Sequence, residues 1–339
     1  VVLGFDSLEE YLNNPNDFGA VIGRHASRIP GSQFILAGKT YHINQTDQEN
    51  HLHGATAGFD QRVWNIKAVG NNGRNIVLGY RSPDGENGYP GNLDIEVSYT
   101  LTDNNSVIIN YRALTDQATI CNLTNHNYFN FNGAADSVLN HELMINADTF
   151  TPVDNEWIPS YITQTIKCQQ YREWLPASIA QTVKYQQYLG NFTLADEKCI
   201  PRGVIADLDG SPLDFREPRT IGSGINNDLI QLKKCDGYNQ NYVLNTEGNI
   251  NELAASLYDP STGLAVDVYT TEPGLKLYTA NYLDGSITGR NGNAYNQYCA
   301  LCLEPQHFPD SPNVNYFPST VLRPGEIYDT TTIYSFYIK

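Results

Sequence analysis

Three stretches of the chain put titratable side chains where chemistry could be done: His51-Leu-His53-Gly54, Thr124-Asn-His126-Asn-Tyr-Phe129, and Glu304-Pro-Gln-His307-Phe-Pro-Asp-Ser-Pro-Asn313. Each mixes histidine with Gly, Pro or Asn, residues that end strands and build loops. Loops carried on a rigid scaffold are where sites collect. Imidazole titrates near neutrality, so a histidine that faces a carboxylate makes a proton-transfer pair.

A metal reading competes with it. His51 and His53 would share one face of a strand, and with His126 and Glu304 they would supply three imidazoles and one carboxylate. A cupin barrel uses such a His-x-His pair, but with a Glu a few residues on, and Gly54-Ala-Thr-Ala-Gly58 carries no ligand. Cys299 and Cys302 have the spacing of a zinc pair, yet they sit in an apolar strand-like run where a separation of three turns two side chains to opposite faces. The expectation is a site with no metal and no cofactor.

The elements that must position these residues are strands. Phe34–Leu36, Arg62–Ile66, Asn75–Tyr80, Leu93–Leu101, Val107–Tyr111, Leu264–Tyr269, Leu275–Tyr278 and Thr331–Ile338 are short β-like runs, several alternating apolar with polar. Turn signals separate them at Gly70-Asn-Asn-Gly73, Asp84-Gly85, Asp103-Asn-Asn105, Asp209-Gly210 and Asp284-Gly285. Helical periodicity is scarce, Ser7–Leu12 being the clearest case, and Val1–Phe5 reads as a strand already in progress. Many short strands and no linker predict one all-β domain over 1–339, a sandwich or barrel. One segment stands apart: Gln164–Tyr171 is nearly repeated at Gln181–Tyr188, as a hairpin or two helical turns. Cys168 and Cys199 flank it and could be bonded in an oxidising compartment. A lid, a partner-docking arm or a surface insertion without a role would each fit.

Composition narrows the ligand. The 339 residues carry 37 acidic and 21 basic side chains, a net charge of −16. Such a surface repels phosphate backbones and anionic lipid, which argues against nucleic acid or membrane partners and towards a neutral small molecule. No run approaches the roughly 20 apolar residues that span a bilayer as a helix. Sequons at Asn44, Asn104, Asn122 and Asn191, the acidity and a first residue other than Met lean towards an exported protein, with a cytoplasmic one as the alternative.

Asn50-His-Leu-His-Gly54 with Gly58-Phe-Asp60 and Trp64, Gly23-Arg-His-Ala-Ser-Arg-Ile29, Leu123–Asn130, and Glu304–Asn313 followed by Pro318–Glu326 together resemble the aldose 1-epimerase (galactose mutarotase) family. The resemblance runs from Val1 to about Ile338, apart from an atypical insertion at about 160–201. It implies a large antiparallel β-sandwich with a cleft on one sheet, and conversion of the α and β anomers of a free hexose by acid–base ring opening and closure. By position, Glu304 would be the general base at the anomeric hydroxyl and His126 the general acid at the ring oxygen. His53 and Arg28 would hold sugar hydroxyls. Trp64 or Phe129 could offer an apolar face to the sugar, though core packing suits both.

The pattern breaks in places. Where the family has Asp-His, Gly237-Tyr-Asn-Gln-Asn-Tyr-Val243 carries Asn239 and Gln240, still assigned to the substrate but without the charge. Ala55 stands where the family favours Gly, and Pro305 follows Glu304. N-terminal strands of the family are absent from this numbering, which predicts an exposed sheet edge and a segment or partner chain outside it. The departures leave a second class open, a carbohydrate-binding or assembly protein without turnover that docks a partner through the insertion. A phosphorylated hexose would need more cleft cations than Arg24 and Arg28.

Overall fold

Alternation sets the two faces of each long strand. In Leu93–Leu101 the side chains of Leu93, Ile95 and Val97 are buried while Asp94 and Glu96 are exposed, the period of two that pleated backbone imposes. The computed structural model describes residues 1–12, 14, 16–47, 49–55, 57–134, 136–153, 182–183 and 205–339. Among them, nine strands form one antiparallel sheet in the order Arg219–Thr220, Glu142–Ile145, Ala255–Tyr258, Leu264–Thr270, Tyr328–Ile338, Ser106–Thr115, Leu93–Leu101, Asn75–Ser82, Asn65–Gly70. A second sheet runs Tyr128–Phe129, Leu301–Gln306, Gly274–Tyr278, Asn239–Val243, Thr149–Thr151, Ile205–Asp207, Thr182–Val183. Its last pair is parallel and the rest are antiparallel.

The core lies between the sheets. Val97, Ile109, Leu257, Val266 and Val268 of the first pack with Phe150, Tyr242, Leu275, Leu277, Leu301 and Leu303 of the second. Fully burying one such side chain contributes about 1.5–3 kcal/mol, so this layer fixes the strand register that the site depends on. The sandwich expected from the sequence is present.

Local details differ from the sequence reading. Val1–Phe5 is not a full strand: Val2 makes one bridge to Phe129, and Leu3 N–H donates to the Tyr128 carbonyl at 2.8 Å. The run predicted at Arg62–Ile66 begins its strand only at Asn65. The predicted helical turn forms at Leu8–Tyr11, with Ser7 and Glu10 in a capping box. The Asn65–Gly70 edge is exposed along most of its length, with Lys67 on it and a bulge between Ile66 and Ala68, two features that discourage edge-to-edge pairing. The near-repeat, the Cys168–Cys199 pairing and the insertion at 160–201 lie outside the described residues, Thr182–Val183 excepted.

Candidate active site

Because Leu275, Leu277, Leu301 and Leu303 face the core, their strand neighbours Lys276, Tyr278, Cys302 and Glu304 face the opposite side of the sheet. Register then aligns them: Lys276 pairs with Glu304 and with Asn241, while Tyr278 pairs with Cys302 and with Asn239. Polar side chains from three adjacent strands thus floor one cleft.

His126 stands at its edge. The backbone is clamped by the N-terminal segment: His126 N–H donates to the Ala20 carbonyl at 3.0 Å and its carbonyl accepts from Gly19 N–H at 2.9 Å. The ring stacks on Tyr128, with centroids 4.8 Å apart and planes 18° apart. Its Nδ1 lies 3.4 Å from Cys302 Sγ and its Nε2 3.8 Å from Glu304 Oε1. That last separation is too long for a hydrogen bond and suits two groups that flank a ligand. Glu304 is 2% exposed, and its Oε2 has no hydrogen-bond partner among the described residues. A buried acceptor left open costs free energy until a donor arrives.

His53 reaches the same place from the opposite wall. The Arg28–Ile29 and His51–Leu52 strands pair, and Ser27 brackets His53, its carbonyl accepting from His53 N–H and its own N–H donating to His53 Nδ1 at 3.3 Å. Gly54 makes the turn possible. Its φ is +95°, and a Cβ there would meet the Gly23 carbonyl oxygen at 1.7 Å. Next to it, Ala55 holds φ +78°, a conformation that the glycine favoured at this position would adopt more freely. Burial, then the nearby His126, Arg28 and Lys276, push the His53 pKa well below the usual histidine value, so the ring is neutral. With Nδ1 accepting, Nε2 carries the proton and is a donor.

Arg28 turns its Nε to Asp47 Oδ2 at 2.8 Å, which anchors the guanidinium and leaves its terminal nitrogens. Asn239 is buried on the cleft face, near the Tyr282 phenol. Lys276 Nζ donates to the Asn239 backbone carbonyl at 3.1 Å. Burial and Arg28 pull its pKa down to about 7, against the opposing pull of Glu304. Asp17, beside the His126 clamp, is pushed up to about 7 by burial, by Asp60 and then by Glu304.

One assignment needs correction. Gln240 does not join the group, because it is one residue past Asn239 and the pleat turns it to the other face. There its Oε1 accepts from Asn239 N–H and its Nε2 donates to the Gln231 carbonyl. Phe129 lies in the core and Trp64 packs on Phe59 and Tyr80, so the aromatic rings at the cleft are Tyr128, Tyr278 and Tyr282. His51 is spent internally, between the Asn44 carbonyl at 2.7 Å and the Tyr89 hydroxyl at 2.5 Å. Sequence reading passed over Lys276, whose one signal was a lysine set between two core leucines in an alternating strand.

Ligand atoms of His53, His126 and Glu304 lie within 4.8 Å of one another, close enough to consider a metal ion. The hydrogen bonding does not suit one. A coordinating histidine donates its second N–H to an acceptor, whereas His53 Nδ1 accepts a hydrogen bond from the Ser27 backbone N–H. Ligation through Nε2 would force two N–H groups together. The trio is better fitted to a polyol.

The aldose 1-epimerase family model matches residues 1–196 and 184–335. Human galactose mutarotase is 38% identical over 337 residues, 99% of this chain and 83% of that protein. Aldose 1-epimerase of Escherichia coli K12 is 34% identical over 99% of this chain and 84% of its own length. The crystal structure of galactose 1-epimerase from Lactobacillus acidophilus superposes with a TM-score of 0.77 at 26% identity, covering 99% of this chain and 85% of that one. An aldose epimerase homologue from C. elegans gives the same TM-score and identity over 99% and 87%. The family model and the relatives in sequence and fold agree: the chain belongs to the aldose 1-epimerase family.

Proposed function

We propose that this protein interconverts the α and β anomers of free hexoses, glucose and galactose among them, by proton transfer alone. The observation that carries the reading is the 3.8 Å approach of His126 Nε2 to Glu304 Oε1, with the second Glu304 oxygen buried and open. Glu304 takes the proton of the anomeric hydroxyl while His126 gives one to the ring oxygen. The C1–O5 bond breaks, the C1–C2 bond rotates, and reclosure on the other face of C1 yields the other anomer. Neutral His53, through Nε2–H, and the terminal nitrogens of Arg28 hold hydroxyls and stabilise the oxygen that gains charge. Asn239 binds a further hydroxyl as a neutral group. Tyr128 keeps the His126 ring in plane against its face.

Membership of the family and the relatives' names support the reaction, and the cleft's hydrogen-bonding groups support a neutral sugar. Polarimetry of fresh α-D-glucose and α-D-galactose tests it. The rotation should relax faster than in buffer alone, in proportion to protein concentration. Relaxation at the buffer rate for both sugars would sink the proposal.

A further inference from the structure

Lys276 is an amine on the cleft floor that the proton-transfer scheme leaves without a task. Its side chain is buried, and of the three donors on Nζ one is used, on the Asn239 carbonyl. Lys276 and Glu304 are directly paired across neighbouring strands, so their Cβ atoms start about 4.5–5.5 Å apart on the same face. Whatever carbon Glu304 serves is therefore within reach of the Lys276 amine. In ring opening that carbon becomes an aldehyde.

We propose that Lys276 is a nucleophile toward that aldehyde, forming a reversible Schiff base with C1 of an open-chain aldose in the cleft. The inference rests on the ring-opening reading above, since the aldehyde is its intermediate. The Nζ lone pair adds to C1 and the carbonyl electrons pass to oxygen, which is protonated. The nitrogen gives up one proton, to Glu304. The protonated hydroxyl then leaves as water while the nitrogen lone pair closes the C=N bond. Overall, amine, aldehyde and one proton give a protonated imine and one water. Nothing is oxidised or reduced, and addition of water returns the free sugar.

The surroundings favour the nucleophilic form. Burial and the Arg28 charge bring the amine to about 7, so near neutral pH about half of it is unprotonated, against roughly one in a thousand for an exposed lysine. His126 and Glu304, already placed to move protons at C1, serve the addition and the loss of water. His53 is neutral and adds no charge against the iminium. The ligand class is wider than the pyranoses: any short hydroxyaldehyde that enters the cleft meets the same amine.

The test uses the whole chain incubated with D-galactose and sodium cyanoborohydride near neutral pH, followed by peptide mass mapping. Hydride reduces the imine to a stable secondary amine, and the added mass is one hexose less one oxygen. Lys276 should be labelled at least about tenfold faster than exposed Lys39 and Lys67. A cyclic analogue lacking the anomeric hydroxyl should protect Lys276 and not be incorporated. Labelling confined to exposed lysines overturns the inference. Polarimetry on the same sample separates the two ideas. Mutarotation with Lys276 unlabelled sinks the Schiff base and leaves the anomer reaction standing. Lys276 labelled by D-glyceraldehyde in a protein that does not mutarotate upholds the nucleophile and sinks the anomer reaction.

Discussion

Among the described residues two histidine–carboxylate pairs stand out, and they are built for opposite ends. His307 Nδ1 contacts Glu272 Oε2 at 2.6 Å, while Glu272 Oε1 accepts from the Tyr328 hydroxyl at 3.2 Å. Both carboxylate oxygens are used, Glu272 is buried and His307 is mostly covered. His126 and Glu304 stand 3.8 Å apart, with one Glu304 oxygen open. Both pairs draw on the same motif, because Glu304 and His307 are three residues apart. The closed pair is finished, and the open one is waiting. A buried polar group that is fully satisfied adds stability and specificity, whereas one left partly unsatisfied marks a place for a ligand.

Breaking the open pair should cost turnover and little else. Glu304→Gln and His126→Ala are each expected to lower the polarimetric rate by about a hundredfold to ten-thousandfold, with thermal unfolding near that of the wild type. A near-normal rate in either would dissolve the distinction drawn between the pairs. Breaking the closed pair should do the reverse. Glu272→Gln leaves the mostly covered His307 without its counter-charge, and a loss of about 1–3 kcal/mol is expected in denaturant unfolding, with the rate per folded molecule within a few-fold of wild type. A large rate defect in a fully folded Glu272→Gln sample would place that carboxylate in the chemistry after all.

pH sharpens the contrast. Burial lowers the His307 pKa, but the Glu272 carboxylate against it outweighs this, and the net shift is upward. A raised folded-state value means that the stabilisation is complete below the unfolded histidine value of about 6.5 and fades as pH climbs through the folded value. Melting curves of wild type and Glu272→Gln between about pH 5 and 9 should therefore converge towards the alkaline end. A gap that widens with pH would contradict the pairing.

Smaller effects are expected at the strand that carries Asn239. Asn239→Asp restores a charged acceptor and should lower KM by about threefold to tenfold, the difference between a charged and a neutral hydrogen bond. It would also set a carboxylate beside Lys276 and slow reductive labelling there. An unchanged or higher KM would count against Asn239 as a sugar ligand. Gln240→Ala, on the opposite face, should move KM by less than about twofold while lowering the melting temperature, because the Gln231 carbonyl loses its donor. A clear KM effect would reopen its assignment to the cleft.

Much of this was legible in one dimension. Alternation gave the strand Leu93–Leu101 to the residue, and turn residues located the hairpins at 70–75 and 101–106. His53, His126 and Glu304 drew attention because each sits in a stretch that mixes histidine with Gly, Asn or Pro, and Arg28 through the family resemblance. Period-two patterning says which residues share a face, but not whether that face meets solvent or a cleft, and so nothing in the sequence set Lys276 apart. Gln240 was misplaced for the related reason that adjacent residues in a motif were treated as one unit, when a pleated strand separates them. The division of labour between Glu304 and Glu272 needed coordinates, since Glu272 is distant in sequence from both of its partners.

The two hydrogen bonds by which Gly19 and Ala20 grip the His126 backbone have a consequence for how this protein would fail. Glu304 is carried by an interior strand with a neighbour on each side, but the His126 backbone is also held by a loop at Gly19 and Ala20. A form clipped so that Gly19 and Ala20 are lost would let the ring drift while both sheets endured. Such a clipped form would run as an intact, soluble species in sizing and scattering, yet be dead in a kinetic assay.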